Sequence, residues 1–134
     1  MIVNLIEPML GKTFVRVERR SGSQDELVFI MSDGGEFVFS HDQDCCEQVY
    51  IDDVSGDLAD LVVLPLLQAE EAVARSGDAG GPEVDKWGDS STWTFYKFAT
   101  EKGRVNVKWI GSSNGYYSES VDLTLPDGRG WNPA

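Results

Sequence analysis

The chain has 134 residues, 41% of them hydrophobic and 25% charged, and a formal net charge of −12. That length buries a core without disulfide or metal staples, and no apolar run reaches the length of a membrane span, which argues against a membrane partner. The acids are concentrated, with no Lys or Arg between Ser21 and Ala74, and such a field repels DNA and RNA backbones, so no nucleic-acid partner is expected.

Gly11 to Arg20 (GKTFVRVERR) alternates and predicts a first strand. Ser21-Gly22-Ser23 is its turn, and Glu26 to Ser32 predicts a second strand. Asp33-Gly34-Gly35 is a hairpin signal, because glycine takes positive φ at no steric cost. Glu36 to Ser40 returns as a third strand, and Glu47 to Asp52 predicts another. Val54 to Asp60 predicts the start of a short helix, capped by Ser55 or Asp57. Pro65 interrupts it. For Leu66 to Ala74 (LLQAEEAVA) propensity predicts helix and position allows strand; helix is the expectation. Residues 76–91, rich in Gly, Asp and Ser, predict a surface loop.

Ser91 to Thr100 (STWTFYKFAT) is rich in aromatic and β-branched residues and predicts a strand. Glu101-Lys102-Gly103 turns it into Arg104 to Gly111. Asn114-Gly115 then predicts a second hairpin, with Tyr116 to Leu125 as the third strand of a meander. Residues 126–134 form a tail. The expected fold is a single α+β domain, 1–134. It is mainly antiparallel sheet, with a three-strand meander at each end of the chain and one or two short helices between.

In the aromatic strand Trp93, Phe95 and Lys97 share one face, and Thr94, Tyr96 and Phe98 share the other. A sheet with one wet face alternates more cleanly. This strand is therefore covered on both sides, or its second face meets a ligand or a partner. A homo-oligomer is expected, most simply a dimer.

His41 is the only histidine, and Cys45 and Cys46 are the only cysteines. With Asp44 they offer ligand types that zinc accepts. However, adjacent cysteines diverge on a strand, and no C-x-x-C pair accompanies them. His41 and Cys45 are spaced to share a face of a helical turn, yet Asp42, Asp44 and Glu47 disfavour a thiolate. The expectation is a packed turn with reduced, unmetallated cysteines, one of them in the core. No catalytic residue, metal or cofactor is assigned. Adjacent cysteines that cannot form an ordinary disulfide, behind a start unlike a signal peptide, predict a reducing, cytoplasmic setting. The sequence contains no phosphate-binding glycine loop or dinucleotide fingerprint.

Rings and cations offer a different chemistry. Asn114, Tyr116 and Tyr117 are placed at the predicted hairpin tip, and Trp93 and Tyr96 lie on the aromatic strand. Flat rings stack on bases, and Arg104 or Lys108, four apart on one strand face, neutralises a phosphate. His41 would border such a site as a hydrogen-bonding group. The same rings also describe a plain aromatic core. The expected function is non-catalytic binding of a nucleotide-like small ligand. The alternatives are an acidic protein-interaction inhibitor or nucleic-acid mimic, and a metal- or thiol-dependent enzyme centred on His41.

Three motifs, HDQDCCEQVYID beginning at His41, TWTFYKFAT at 92–100 and GSSNGYYSESVD at 111–122, resemble an uncharacterised family found in phages and bacteria. The resemblance runs from about residue 11 to residue 123. It carries no established activity. It implies a small, phage-encoded, cytosolic protein, of a kind often directed against host defences. Sequestration of a nucleotide-like defence signal is the function expected in that setting.

Overall fold

The computed structural model describes residues 2–84 and 89–133. The described strands are β1 (Ile2–Leu5), β2 (Arg16–Ser21), β3 (Asp25–Ile30), β4 (Glu36–Ser40), β5 (Gln48–Ser55), β6 (Gln68–Arg75), β7 (Ser90–Thr100), β8 (Gly103–Ser113), β9 (Asp122–Thr124) and β10 (Gly130–Trp131). They form two five-stranded sheets, ordered β1-β6-β7-β8-β5 and β10-β9-β4-β3-β2. All the strand pairs are antiparallel. The only helical pieces among the described residues are 3-10 turns at Glu7–Met9 and Leu58–Leu61.

The N-terminal meander β2-β3-β4 is present, but its first strand begins at Arg16 and not at Gly11, and runs into Ser21. Its tight turn uses Gly34 at φ +89°, and the Asp33 carboxylate accepts the Gly35 N–H at 2.8 Å. In the other sheet, β7 and β8 pair along their whole lengths across Glu101-Lys102. β7 is the central strand of that sheet, with two strands on either side.

The sheets bury a shared core. Phe29 of β3 lies 4.8 Å from Phe98 of β7, and Phe39 of β4 lies 4.7 Å from Tyr96 of β7, centroid to centroid. Phe14 closes one end against Phe29, edge to face at 5.1 Å. All five of these rings are fully buried. Edge-to-face pairs add about 0.5–1.5 kcal/mol each beyond their area.

Three expectations are corrected. First, the protein is all-β and not α+β. Residues 68–75 are strand β6, hydrogen-bonded to β1 on one edge and β7 on the other. Leu, Ala and Glu favour helix over strand-formers by only tenths of a kcal/mol per residue. Pairing on both edges, with Ala69 and Ala74 wholly buried, outweighs that preference. The helix expected from Val54 shrinks to the 3-10 turn at Leu58, capped by Asp57, whose carboxylate accepts the Ala59 N–H at 2.9 Å.

Second, the C-terminal meander does not exist. Gly115 does take a positive φ of +94°, and the Asn114 side chain accepts the Tyr116 N–H at 3.0 Å. This bend opens a crossover, and no hairpin follows it. β9 joins the other sheet beside β4. The crossover is held down by Glu119. Its carboxylate accepts the hydroxyls of Thr92 at 2.8 Å, Ser113 at 2.5 Å and Ser90 at 3.3 Å. Gly111 makes the approach possible, because a Cβ there would stand 2.4 Å from the Glu119 carbonyl oxygen.

Third, the tail contains β10, which pairs with β9. β1, which the sequence reading does not predict, lies along the β6 edge. The predicted loop 76–91 is irregular up to residue 84 and joins β7 at Ser90; its residues 85–88 lie outside the described residues.

Candidate functional site

The His41 turn is built around a buried acid. His41 is 3% exposed and Glu47 is 2% exposed. His41 Nε2 lies 3.0 Å from Glu47 Oε2, and Nδ1 lies 2.8 Å from the Ser120 carbonyl oxygen. Both ring nitrogens thus face oxygen atoms of the protein. The Glu47 carboxylate also accepts the N–H groups of Asp44 at 3.0 Å and Cys45 at 2.8 Å, and the Gln43 amide at 3.1 Å. Burial pushes this carboxyl up, but the His41 bond and the backbone N–H groups together outweigh it and hold Glu47 at about 2. The short sequence 41–47 thus folds back on its own last residue.

Glu47 and Ser120 are the partners of the two ring nitrogens. No group of three His, Cys, Asp or Glu side chains able to hold a metal occurs among the described residues. The cysteines differ from expectation. Both are exposed, where one was expected in the core. Their sulfurs are joined as a vicinal disulfide, where two thiols were expected.

The residues predicted to bind a ligand do not converge. Tyr96 is fully buried between the sheets, and its hydroxyl donates to Glu71 at 2.7 Å. Burial raises the Glu71 carboxyl, the Tyr96 hydroxyl opposes this, and the negative Asp122 adds to it. His41 is inside its turn. Asn114, Tyr116 and Tyr117 lie on the crossover. There Tyr116 is 84% exposed, and the two tyrosine rings contact each other at 5.1 Å.

Trp93, Arg104 and Lys108 do share a surface. It is the outer face of the β1-β6-β7-β8-β5 sheet, since Arg104, Asn106 and Lys108 alternate away from the buried Val105 and Val107. The Lys108 ammonium sits 4.1 Å above the Trp93 ring, a cation–π contact, and 3.8 Å from Asp52. Beside this pair lies a pocket of about 380 Å³. Phe95, Ala72 and Val3 supply apolar surface to it, and its polar neighbours are Lys97, Lys108 and Asn106 together with the carboxylates of Asp53 and Glu70. Its cross-strand pairs are Phe95 with Lys108 and Lys97 with Asn106. Sequence reasoning named Lys108 but missed Phe95, Lys97 and Asn106. The alternation that places Phe95 and Lys97 beside Trp93 was the available signal.

A larger groove of about 1100 Å³ lies between the sheets at the crossover. Glu71, Glu119 and Asp122 line it together with Thr92 and Thr94. Arg75, Val73 and Trp131 also line it, and its two buried carboxylates, Glu71 and Glu119, are engaged by protein hydroxyls. Among the described residues no helix is long and apolar enough to cross a membrane.

The fold defines an all-β, two-sheet antiparallel protein. The chain belongs to the family described as a domain of unknown function (DUF7448), whose match spans residues 7–123. It matches no curated protein and no solved structure.

Proposed function

We propose that the chain is a non-catalytic small-ligand binding protein whose site is the outer-face pocket beside Lys108. The observation that carries this reading is one recess combining an aromatic floor with two ammonium groups, each opposite a carboxylate: Lys97 across from Glu70 and Lys108 across from Asp53. Phe95 supplies a ring edge or face, and Lys97 and Lys108 flank it. Pockets of this size and mixed lining suit small molecules. A planar base stacks on the apolar floor, Asn106 offers both a donor and an acceptor to its edge, and the two ammonium groups meet a phosphate. The ligand class is nucleotide-like. A long polyanion is disfavoured, because it would have to cross the acidic remainder of the surface. Location in the cytoplasm, where nucleotide signals are dissolved, belongs to the same proposal. So does the phage setting, with a host defence signal as the sequestered ligand, and that part rests on the motif resemblance alone.

Calorimetry against linear and cyclic nucleotides tests the reading. Lys108→Ala is expected to weaken binding at least tenfold, about 1.4 kcal/mol. Tyr116→Ala is expected to leave it unchanged. If no nucleotide binds more tightly than about 100 μM, equivalent to about −5.5 kcal/mol, the reading fails. The acidic-surface inhibitor then becomes the better account.

A homodimer is part of the proposal. Val3, Leu5 and Tyr50 are exposed on or beside the same face. The face carries Lys97, Arg104 and Lys108 against Glu70, Asp52 and Asp53. Opposite charges in equal number make it self-complementary under a two-fold axis. A second copy seated there would close the pocket at the seam. Sedimentation velocity is expected to show dimer at micromolar concentration and monomer for Val3→Lys. Wild-type protein that stays monomeric at high micromolar concentration would refute the dimer.

A further inference from the structure

Cys45 and Cys46 carry an inference that does not depend on the ligand reading. On extended backbone, adjacent side chains point to opposite faces. Here the chain bends at both residues, and both side chains are exposed. The bend brings the two sulfurs together on one side of the turn. Its backbone is held by groups other than the sulfurs. Glu47 takes the N–H groups of Asp44 and Cys45, and the Gln43 amide donates to the carbonyls of Cys45 at 3.2 Å and Glu47 at 2.7 Å. A recess of about 530 Å³ lies alongside, between this turn and the turn from Gly22 to Gln24. The pair is thus presented to solvent on a fixed loop, with room beside it for a small thiol compound.

We propose that Cys45 and Cys46 form a redox-active vicinal pair that exchanges with low-molecular-weight disulfides and thiols. In the oxidising direction, one thiolate attacks a disulfide RSSR. A bond forms between the cysteine sulfur and one RS group, and the other RS group leaves and takes up a proton. The neighbouring thiolate then attacks the cysteine sulfur of that mixed disulfide. The second RS group leaves as RSH, and the Cys45–Cys46 bond closes. The protein loses two electrons and two protons, and RSSR gains both as two RSH. Reduction by excess thiol runs the same steps backwards.

Exchange requires a thiolate, whose fraction rises with pH. Closure is therefore expected to be slow at neutral pH and to accelerate as the solution is made alkaline.

The test uses the full chain, reduced with dithiothreitol, desalted and then incubated with oxidised glutathione. Samples are quenched, alkylated and weighed as intact protein. The expected product is a monomer lighter by two hydrogens than the reduced form before alkylation, which takes up no alkyl groups. The reduced form is expected to take up two. Cys45→Ser and Cys46→Ser variants are expected to stop at a mixed disulfide retaining one glutathione, which shows that each sulfur is accessible and that closure needs both. The proposal is overturned if wild-type protein accumulates only stable glutathione adducts or disulfide-linked dimers at alkaline pH. It is equally overturned if neither single variant takes up glutathione.

Discussion

Phe98→Ala is expected to destabilise the protein by about 3–5 kcal/mol, the range for truncating a buried Phe. Phe98 is fully buried on the central strand. It touches rings from both sheets, with Phe29 at 4.8 Å, Phe39 at 5.7 Å and Tyr96 stacked at 6.0 Å. Removing its ring opens a cavity where the sheets meet, and aromatic neighbours fixed by two different sheets cannot collapse into it. Against the stability of about 5–15 kcal/mol typical of single domains, this is a large share. Urea denaturation measures it, and Phe98→Leu is expected to recover much of the loss. A cost below about 1 kcal/mol, within the reach of a surface substitution, would show that the sheets do not pack through this residue.

Acid is expected to loosen the His41 turn through Glu47. The carboxyl is held at about 2 in the folded protein, below its ordinary value of 4.5. A carboxylate with a depressed folded value contributes stability that is present above its unfolded value and lost as pH falls through the folded value. The contribution of Glu47 is therefore full at neutral pH, declines below about pH 4.5 and is gone below about pH 2. Glu71 has the opposite sign, since its carboxyl is raised on folding, so the total pH profile mixes the two. Comparing Glu47→Gln with wild type isolates the first. The variant keeps a side-chain carbonyl for the backbone N–H groups but loses the charge facing His41. It is expected to be less stable than wild type at pH 7, with the gap closing as pH approaches 2. A gap that stays constant with pH would mean that the shape of the side chain holds the turn, and its ionised carboxylate does not.

Much of the sheet structure is determined by the sequence alone. Alternation in GKTFVRVERR, ELVFIMS and EFVFS, with Gly34 in the connecting turn, places the first meander in its correct register class. The aromatic strand and its partner across Glu101-Lys102 are equally legible. Those signals are local: side-chain period and turn chemistry act over a few residues. The concentration of His41, Cys45 and Cys46 in one turn is also plain from the sequence, as is the mixed face that carries Trp93 and Lys97.

Tertiary structure decided the rest. Residues 68–75 become a strand because two neighbouring strands, one from each direction along the chain, offer hydrogen bonds to both of its edges. Asn114-Gly115 turns the chain out of its sheet because Glu119 finds hydroxyls on Ser90, 29 residues earlier, and on Thr92, 27 residues earlier. His41 is engaged because it meets Ser120, 79 residues away. Lys108 becomes a candidate ligand group, and Tyr96 a core residue, according to which side of one strand pair the second sheet covers. Each of these outcomes depends on partners distant in the chain, and a buried acid or ring takes its role from the groups that surround it after folding.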